Sequence, residues 1–168
     1  MANTYTLIAS STVGSGGAAN IEFTSIPATY TDLLVKVSLR GTSNIGVGGL
    51  ILEYNSSSSN LKYIRLLGDG SAASSATSTI GQVSVVQGGN ATANTFSNQE
   101  IYIPNYTSAN YKSASADSVN ENNATTEYMS LKAHLWSDTA AITSLKLTPN
   151  AGSLVQYSTA YLYGIKNS

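Results

Sequence analysis

The sequence predicts an all-β, single-domain antiparallel β-sandwich in jelly-roll connection, spanning residues 1–168. Three observations lead there. Apolar and polar residues alternate with period two in many short segments, most clearly at Leu33, Val35, Val37 and Leu39 against Leu34, Lys36, Ser38 and Arg40. Glycine, proline and Asn/Ser clusters punctuate the chain at intervals suited to strands and turns. No segment carries a helical apolar stripe; the nearest, Asp138 to Ile142, makes one turn at most.

Asn3 to Ser10 reads as the first strand, and Ser11 to Ala18 as a glycine-rich turn. Ile21 and Phe23 alternate with Asn20, Glu22 and Thr24. Pro27 then removes a backbone donor and disfavours helix at Ile26, so the strand ends and a corner follows. The strand Leu33–Leu39 places Leu33, Val35, Val37 and Leu39 towards a core. It leaves Lys36 and Arg40 on the other face, among the few charges available for a partner. Gly41 to Gly49 is a second glycine-rich connection, Leu50 to Tyr54 a short buried strand, and Asn55 to Asn60 a loop.

Leu61 to Leu67 alternates weakly before Asp69-Gly70, a tight-turn pair because both residues tolerate positive φ. Ser71 to Ser78 reads as a small, polar surface loop, and Ile80 to Val86 as a short apolar strand. Glu100 to Ile103 turns Ile101 and Ile103 inward, with Pro104 stopping the ladder or sitting on an edge. Tyr111 to Asn120 is a polar strand and Asn120 to Thr126 a loop. Tyr128 to Trp136 sets Met129, Leu131, Ala133 and Leu135 on one face, with Tyr128, Ser130, Lys132, His134 and Trp136 on the less apolar one. Leu145 and Leu147 mark another strand before Pro149, and Tyr157 to Ile165 the last. That gives nine to eleven strands, with no internal repeat and no linker.

Composition narrows the function classes. Hydrophobic residues make up 42% of the 168 residues and charged ones only 10%. Ser, Thr and Asn supply roughly a third of the chain, far above average usage. Such a surface is polar through hydroxyls and amides, which suits a packed assembly where an unpaired desolvated ion is costly. The net charge of -1 and the scattered Lys and Arg residues argue against a nucleic-acid partner. No apolar run is long enough to cross a bilayer, and the N-terminus lacks the basic start of a signal peptide. With no cysteine, disulfides and thiolate metal sites are excluded.

Catalytic constellations are not apparent. His134 is the single histidine, and no G-x-S-x-G elbow offers it a nucleophile, so it reads as a strand histidine beside Lys132 and Trp136. One histidine without cysteine makes no zinc site. The candidate carboxylate pairs for hydrolysis are Glu121 with Glu127 and Asp117 with Glu121, in a polar segment with nothing apolar to raise an acid's pKa. Asp69-Gly70 lacks the ligand ladder of a calcium loop. Gly14 to Gly17 and Gly46 to Gly49 lack the Gly-Lys-Ser/Thr of a phosphate loop and read as turns. Triplets at Asn55, Asn90, Asn105 and Asn123 match the glycosylation pattern, as chance allows in so Asn/Ser/Thr-rich a chain. Eleven tyrosines against two phenylalanines suit half-exposed strands and contact surfaces, with Tyr102, Tyr106 and Tyr111 as candidates for subunit contact. No catalytic, cofactor-binding or metal residue is assigned, and no cofactor is expected.

Several segments carry a resemblance: Tyr5-Thr6-Leu7-Ile8-Ala9, Asn20-Ile21-Glu22-Phe23-Thr24-Ser25-Ile26-Pro27 with Tyr30-Thr31-Asp32-Leu33, and Tyr161-Leu162-Tyr163-Gly164-Ile165. In these the chain resembles small virion structural proteins of tailed bacteriophages, and they bracket nearly its whole length. The resemblance implies a non-enzymatic virion component assembled in the host bacterial cytoplasm, with no shared catalytic residues to carry over. Two roles follow. A capsid decoration or cement protein would bind the major capsid protein, as a homotrimer at a symmetry axis. A tail-fibre or receptor-binding domain would use Asn55–Asn60 and Asn120–Thr126 to hold a host glycan. The chain has no fibrous shaft or anchoring region, which favours decoration. A free carbohydrate-active enzyme or lectin would instead need convergent carboxylates or an aromatic platform.

Overall fold

The computed structural model describes residues 4–121 and 127–166. Twelve strands run in order: β1 Tyr5–Thr12, β2 Ile21–Phe23, β3 Asp32–Leu39, β4 Val47–Tyr54, β5 Leu61–Gly68, β6 Ala73–Ser78, β7 Gln82–Gln87, β8 Ser97–Ile103, β9 Lys112–Glu121, β10 Glu127–Trp136, β11 Leu145–Pro149 and β12 Thr159–Ile165. They form an eight-stranded sheet, β1-β12-β3-β8-β9-β10-β5-β6, and a four-stranded sheet, β2-β11-β4-β7. Every pairing between these strands is antiparallel. The all-β class and the two packed antiparallel sheets are as the sequence predicts.

Between the sheets lies one contiguous apolar core. Leu33, Val35, Val37 and Leu39 of β3 face into it, as their alternation requires, with Ile101, Ile103 and Leu162 beside them. Leu50, Leu52, Tyr54, Leu145 and Leu147 come from the facing sheet. Tyr30, in the corner after Pro27, lays its ring on Gly164 of β12. A Cβ at that position would overlap the ring, so only glycine fits.

The two sheets are unequal, and that shapes everything outside the core. The outermost strand of the small sheet, β7, packs against β8, β9 and β10. The large sheet continues past it through β5 and β6. Edge strand β7 leaves backbone carbonyls with no strand to receive them, and side chains of the large sheet supply the donors. Lys132 donates from Nζ to Ser84 O at 3.0 Å. The Gln99 amide donates to Val85 O.

Three expectations are corrected here. Ser71 to Ser78 is not a loop: Asp69 accepts from the amides of Ser71 (2.9 Å) and Ala72 (2.8 Å), Gly70 takes φ +82°, and the turn returns the chain as edge strand β6. Gly48 and Gly49 belong to β4, paired with Val86 and Val85, and are not part of a connection. Arg40 is not available to a partner. It is 9% exposed, and its guanidinium donates to the carbonyls of Thr92 (2.7 Å), Thr95 (3.0 Å), Gly89 (3.2 Å) and Ala91 (2.9 Å). The planar fork of arginine holds that loop together from inside. The loop expected at Asn120–Thr126 lies outside the described residues from 122 onwards; Asn120 and Glu121 end β9.

A candidate interaction face on the extended sheet

In β10 the pattern of faces is the reverse of what hydrophobicity alone suggests. Ser130, Lys132, His134 and Trp136 are buried between the sheets, while Met129 and Leu131 are exposed by 59% and 52%. At Lys132 the reason is the open edge of β7, whose Ser84 carbonyl accepts from the ammonium; at His134 and Trp136 it is Tyr54 of β4, which bonds one ring and stacks on the other. Alongside, β9 turns Ala114, Ala116 and Ser118 inwards, small enough to let β7 approach.

The buried side of β10 is cationic and aromatic. Lys132 sits 5.1 Å from the Tyr63 ring centroid, a cation–π distance. Burial, reinforced by nearby Arg65, pushes its ammonium down to about 7. His134 Nδ1 shares a 3.0 Å hydrogen bond with the Tyr54 hydroxyl, and Tyr54 stacks on Trp136 with ring centroids 5.2 Å apart. Burial, with the Lys132 charge, holds His134 down at about 4, so the ring is neutral at physiological pH. Burial also raises the Tyr54 hydroxyl. This is a structural use of histidine, anchoring the extended part of the large sheet to β4.

The candidate carboxylate pairs are not brought into a cleft. Asp117 and Glu121 share the outer face of β9 with Val119 between them, about 13 Å apart along the strand. Glu121 and Glu127 are register partners at the end of the β9–β10 hairpin, and both are exposed. Among the described residues, no group of three or more His, Cys, Asp or Glu side chains could hold a metal ion. No helix among them is long and apolar enough to cross a membrane.

The other candidates are spread over the surface or used internally. Tyr106 is fully buried, its hydroxyl donating to Pro27 O, which corrects its expected role in subunit contact. Tyr102 lies on the outer face of the large sheet and donates to Asp32 at 2.7 Å, while Tyr111 is 63% exposed. Lys36 pairs with Glu100 on that same outer face at 2.9 Å. Asn55 does not present its amide: Nδ2 donates to Ala141 O (2.8 Å) and Oδ1 accepts from the Thr143 amide (2.7 Å). Asn90 donates to Asn44 O (2.9 Å), Asn105 adopts φ +47°, and Asn123 lies outside the described residues.

What the fold does expose is the outer face of the eight-stranded sheet. Ile64, Leu66, Val119, Met129 and Leu131 form a strip across β5, β10 and β9. Tyr5, Leu7, Tyr102 and Tyr161 form a second apolar group beyond the Lys36–Glu100 pair. Shallow hollows lie on this face. One of about 420 Å³ is lined by Ile64, Leu66, Leu131, Ala133, Ser115 and Asp117 among others. An apolar expanse of this kind marks an interaction surface. Sequence reasoning separates the two faces of β10 but does not place the apolar one outside. The available signal is β9, whose residues beside that face are Ser113, Ser115 and Asp117, poor material for a core.

Comparison of the chain with protein-family models, with curated proteins and with solved structures finds no match. Fold and exposed face thus define a two-sheet antiparallel β protein with a broad apolar surface on its larger sheet.

Proposed function

We propose that this chain is a non-enzymatic structural component of a tailed-bacteriophage particle, a decoration protein on the head shell, acting through contact surfaces and not through a reaction. The observation that carries the structural part is the apolar outer face of the large sheet: exposed leucine, isoleucine, valine and methionine gathered on one side are stabilised by being covered in an assembly. The assignment to a phage particle rests on the resemblance in Tyr5–Ala9, Asn20–Leu33 and Tyr161–Ile165. The major capsid protein is the partner on this reading, with neither nucleic acid nor membrane involved.

A jelly roll is part of the same proposal, supported by the strand order. The strands β1-β12-β3-β8 and β2-β11-β4-β7 make two sheets of four, linked as that fold requires. The hairpins β5–β6 and β9–β10 are then additions between β4 and β7 and between β8 and β11, together extending one sheet.

Reconstruction of the particle tests the reading. Density for this domain on the head in hundreds of copies is expected. A few tens of copies or fewer on the tail would replace decoration with the receptor-binding role, and turnover of a host polysaccharide by the purified chain would overturn the non-enzymatic claim.

A further inference from the structure

We propose that the apolar strip on the outer face of β5, β9 and β10 is covered by a second copy of this chain, packed face to face about a two-fold axis near Ala133. The inference rests on reading the chain as an assembly subunit, names the occupant of its exposed face, and puts a two-fold pair in place of the homotrimer expected from the sequence.

The arrangement of charge points to a copy and not to an unrelated protein. On β10, Ala133 lies between Ile64 of β5 and Ser115 of β9, and Leu131 between Leu66 and Asp117; Leu135 lies beside Lys62. Lys62 and Asp117 therefore stand at diagonally opposite corners of the strip, one strand and one pleat either side of Ala133. Both are exposed, and neither has a salt bridge among the described residues. A two-fold axis lying in the face through Ala133, at right angles to that diagonal, exchanges the two corners. Each Asp117 then meets Lys62 of the other copy, twice in one interface. The same operation brings Ile64 of the second copy over the gap between Leu66 and Leu131, at the mouth of the 420 Å³ hollow. A two-fold contact must be self-complementary, and an acid and a base placed symmetrically about an apolar centre meet that condition; Glu100, the register partner of Asp117 on β8, has its own cation in Lys36.

Size agrees. The five strands β8, β9, β10, β5 and β6, about 4.8 Å apart and roughly eight residues long, present a projected area on the order of 650 Å². Each partner in a standard interface contributes about 800 Å² of accessible surface. The expected strand crossing is steep, near the orthogonal class of sheet packing.

Charge reversal on the purified full-length chain tests this, read by sedimentation velocity at micromolar concentration. The wild type is expected to sediment as a dimer. Asp117→Lys and Lys62→Asp should each weaken association at least tenfold, and the double variant should restore it, because only a copy of the same chain carries both changes. A monomeric wild type, or a dimer indifferent to both single changes, would overturn the proposal. Because the chain has no cysteine, Ala133→Cys supplies a second readout. A short bis-maleimide should join two copies of that variant through the introduced thiols, whereas Ser71→Cys, on the β5–β6 turn, should stay unlinked; equal linking at both sites would count against the axis. These measurements need no particle. A dimer that never appears on heads would sink the decoration role alone, and a monomer found on heads would sink the dimer alone.

Discussion

At the scale of single residues, the informative side chains are the buried cations. Arg40 satisfies four loop carbonyls at once, so Arg40→Met leaves them without their charged donor. The expected loss is about 2–4 kcal/mol in urea unfolding, with new protease cleavage within residues 88–96. Arg40→Lys should recover only part of it, since a single ammonium cannot reproduce the fork. Lys132 makes a different prediction. Its folded-state pKa, near 7, lies below the ordinary lysine value, so between pH 7 and about 10 the unfolded chain binds more protons than the folded one. Stability is therefore expected to rise with pH across that window, and Lys132→Met should remove most of the rise, burial depressing Lys112 in the same direction. His134, depressed to about 4, adds a separate increase between pH 4 and about 6.5, which the Lys132 variant should keep in shifted form. A wild-type urea midpoint that is flat from pH 7 to 10 would refute the account of Lys132.

At the scale of elements, alternation locates strands better than it orients them. β3 is legible because its two faces differ sharply and its neighbours β12 and β8 sit over the core. β6 is not, because Ser, Ala and Thr in Ala73–Ser78 carry no apolar period; the strand exists because the Asp69-Gly70 turn delivers it to β5. The faces of β10 are legible as two sets, but which set is inside depends on what lies opposite. Opposite it lie the open edge of β7 and Tyr54 of β4, tertiary facts that no local pattern encodes. The candidate face is hidden for the same reason. Truncation separates the two situations. Leu33→Ala, in the core, should cost about 2–5 kcal/mol. Leu131→Ala, an equally large side chain, should stay within about 0.5 kcal/mol of wild type when measured by denaturation at protein concentrations low enough to keep chains apart. Equal losses would mean that β10 faces the other way.

At the scale of the whole molecule, the question is whether the β5, β6, β9 and β10 extension is a separate folding unit or part of the sandwich. Its broader hydrophobic face points outward, and to the core it brings Leu61, Ala114, Ala116 and Trp136. It is attached through specific contacts as well: Trp136 stacked on Tyr54, His134 bonded to the same tyrosine, and Lys132 bonded to Ser84. All three tie β10 to strands of the small sheet. The extension also pairs through β9 with β8, itself a neighbour of β3. Loss of the extension would expose the carbonyls of β7 and strip one face of Tyr54, while loss of the sandwich would leave Trp136, His134 and Lys132 with nothing to bury them. Each part thus completes the burial of the other, which favours a single cooperative transition. Trp136, the chain's one tryptophan, lies at that junction and is 2% exposed. Its emission should therefore shift to the red at the same urea concentration at which far-ultraviolet circular dichroism is lost. A fluorescence midpoint clearly below the dichroism midpoint would show the extension detaching first. Tyr54→Phe, which keeps the stack but deletes the bond to His134, should lower both midpoints together by an amount equivalent to about 1–2 kcal/mol.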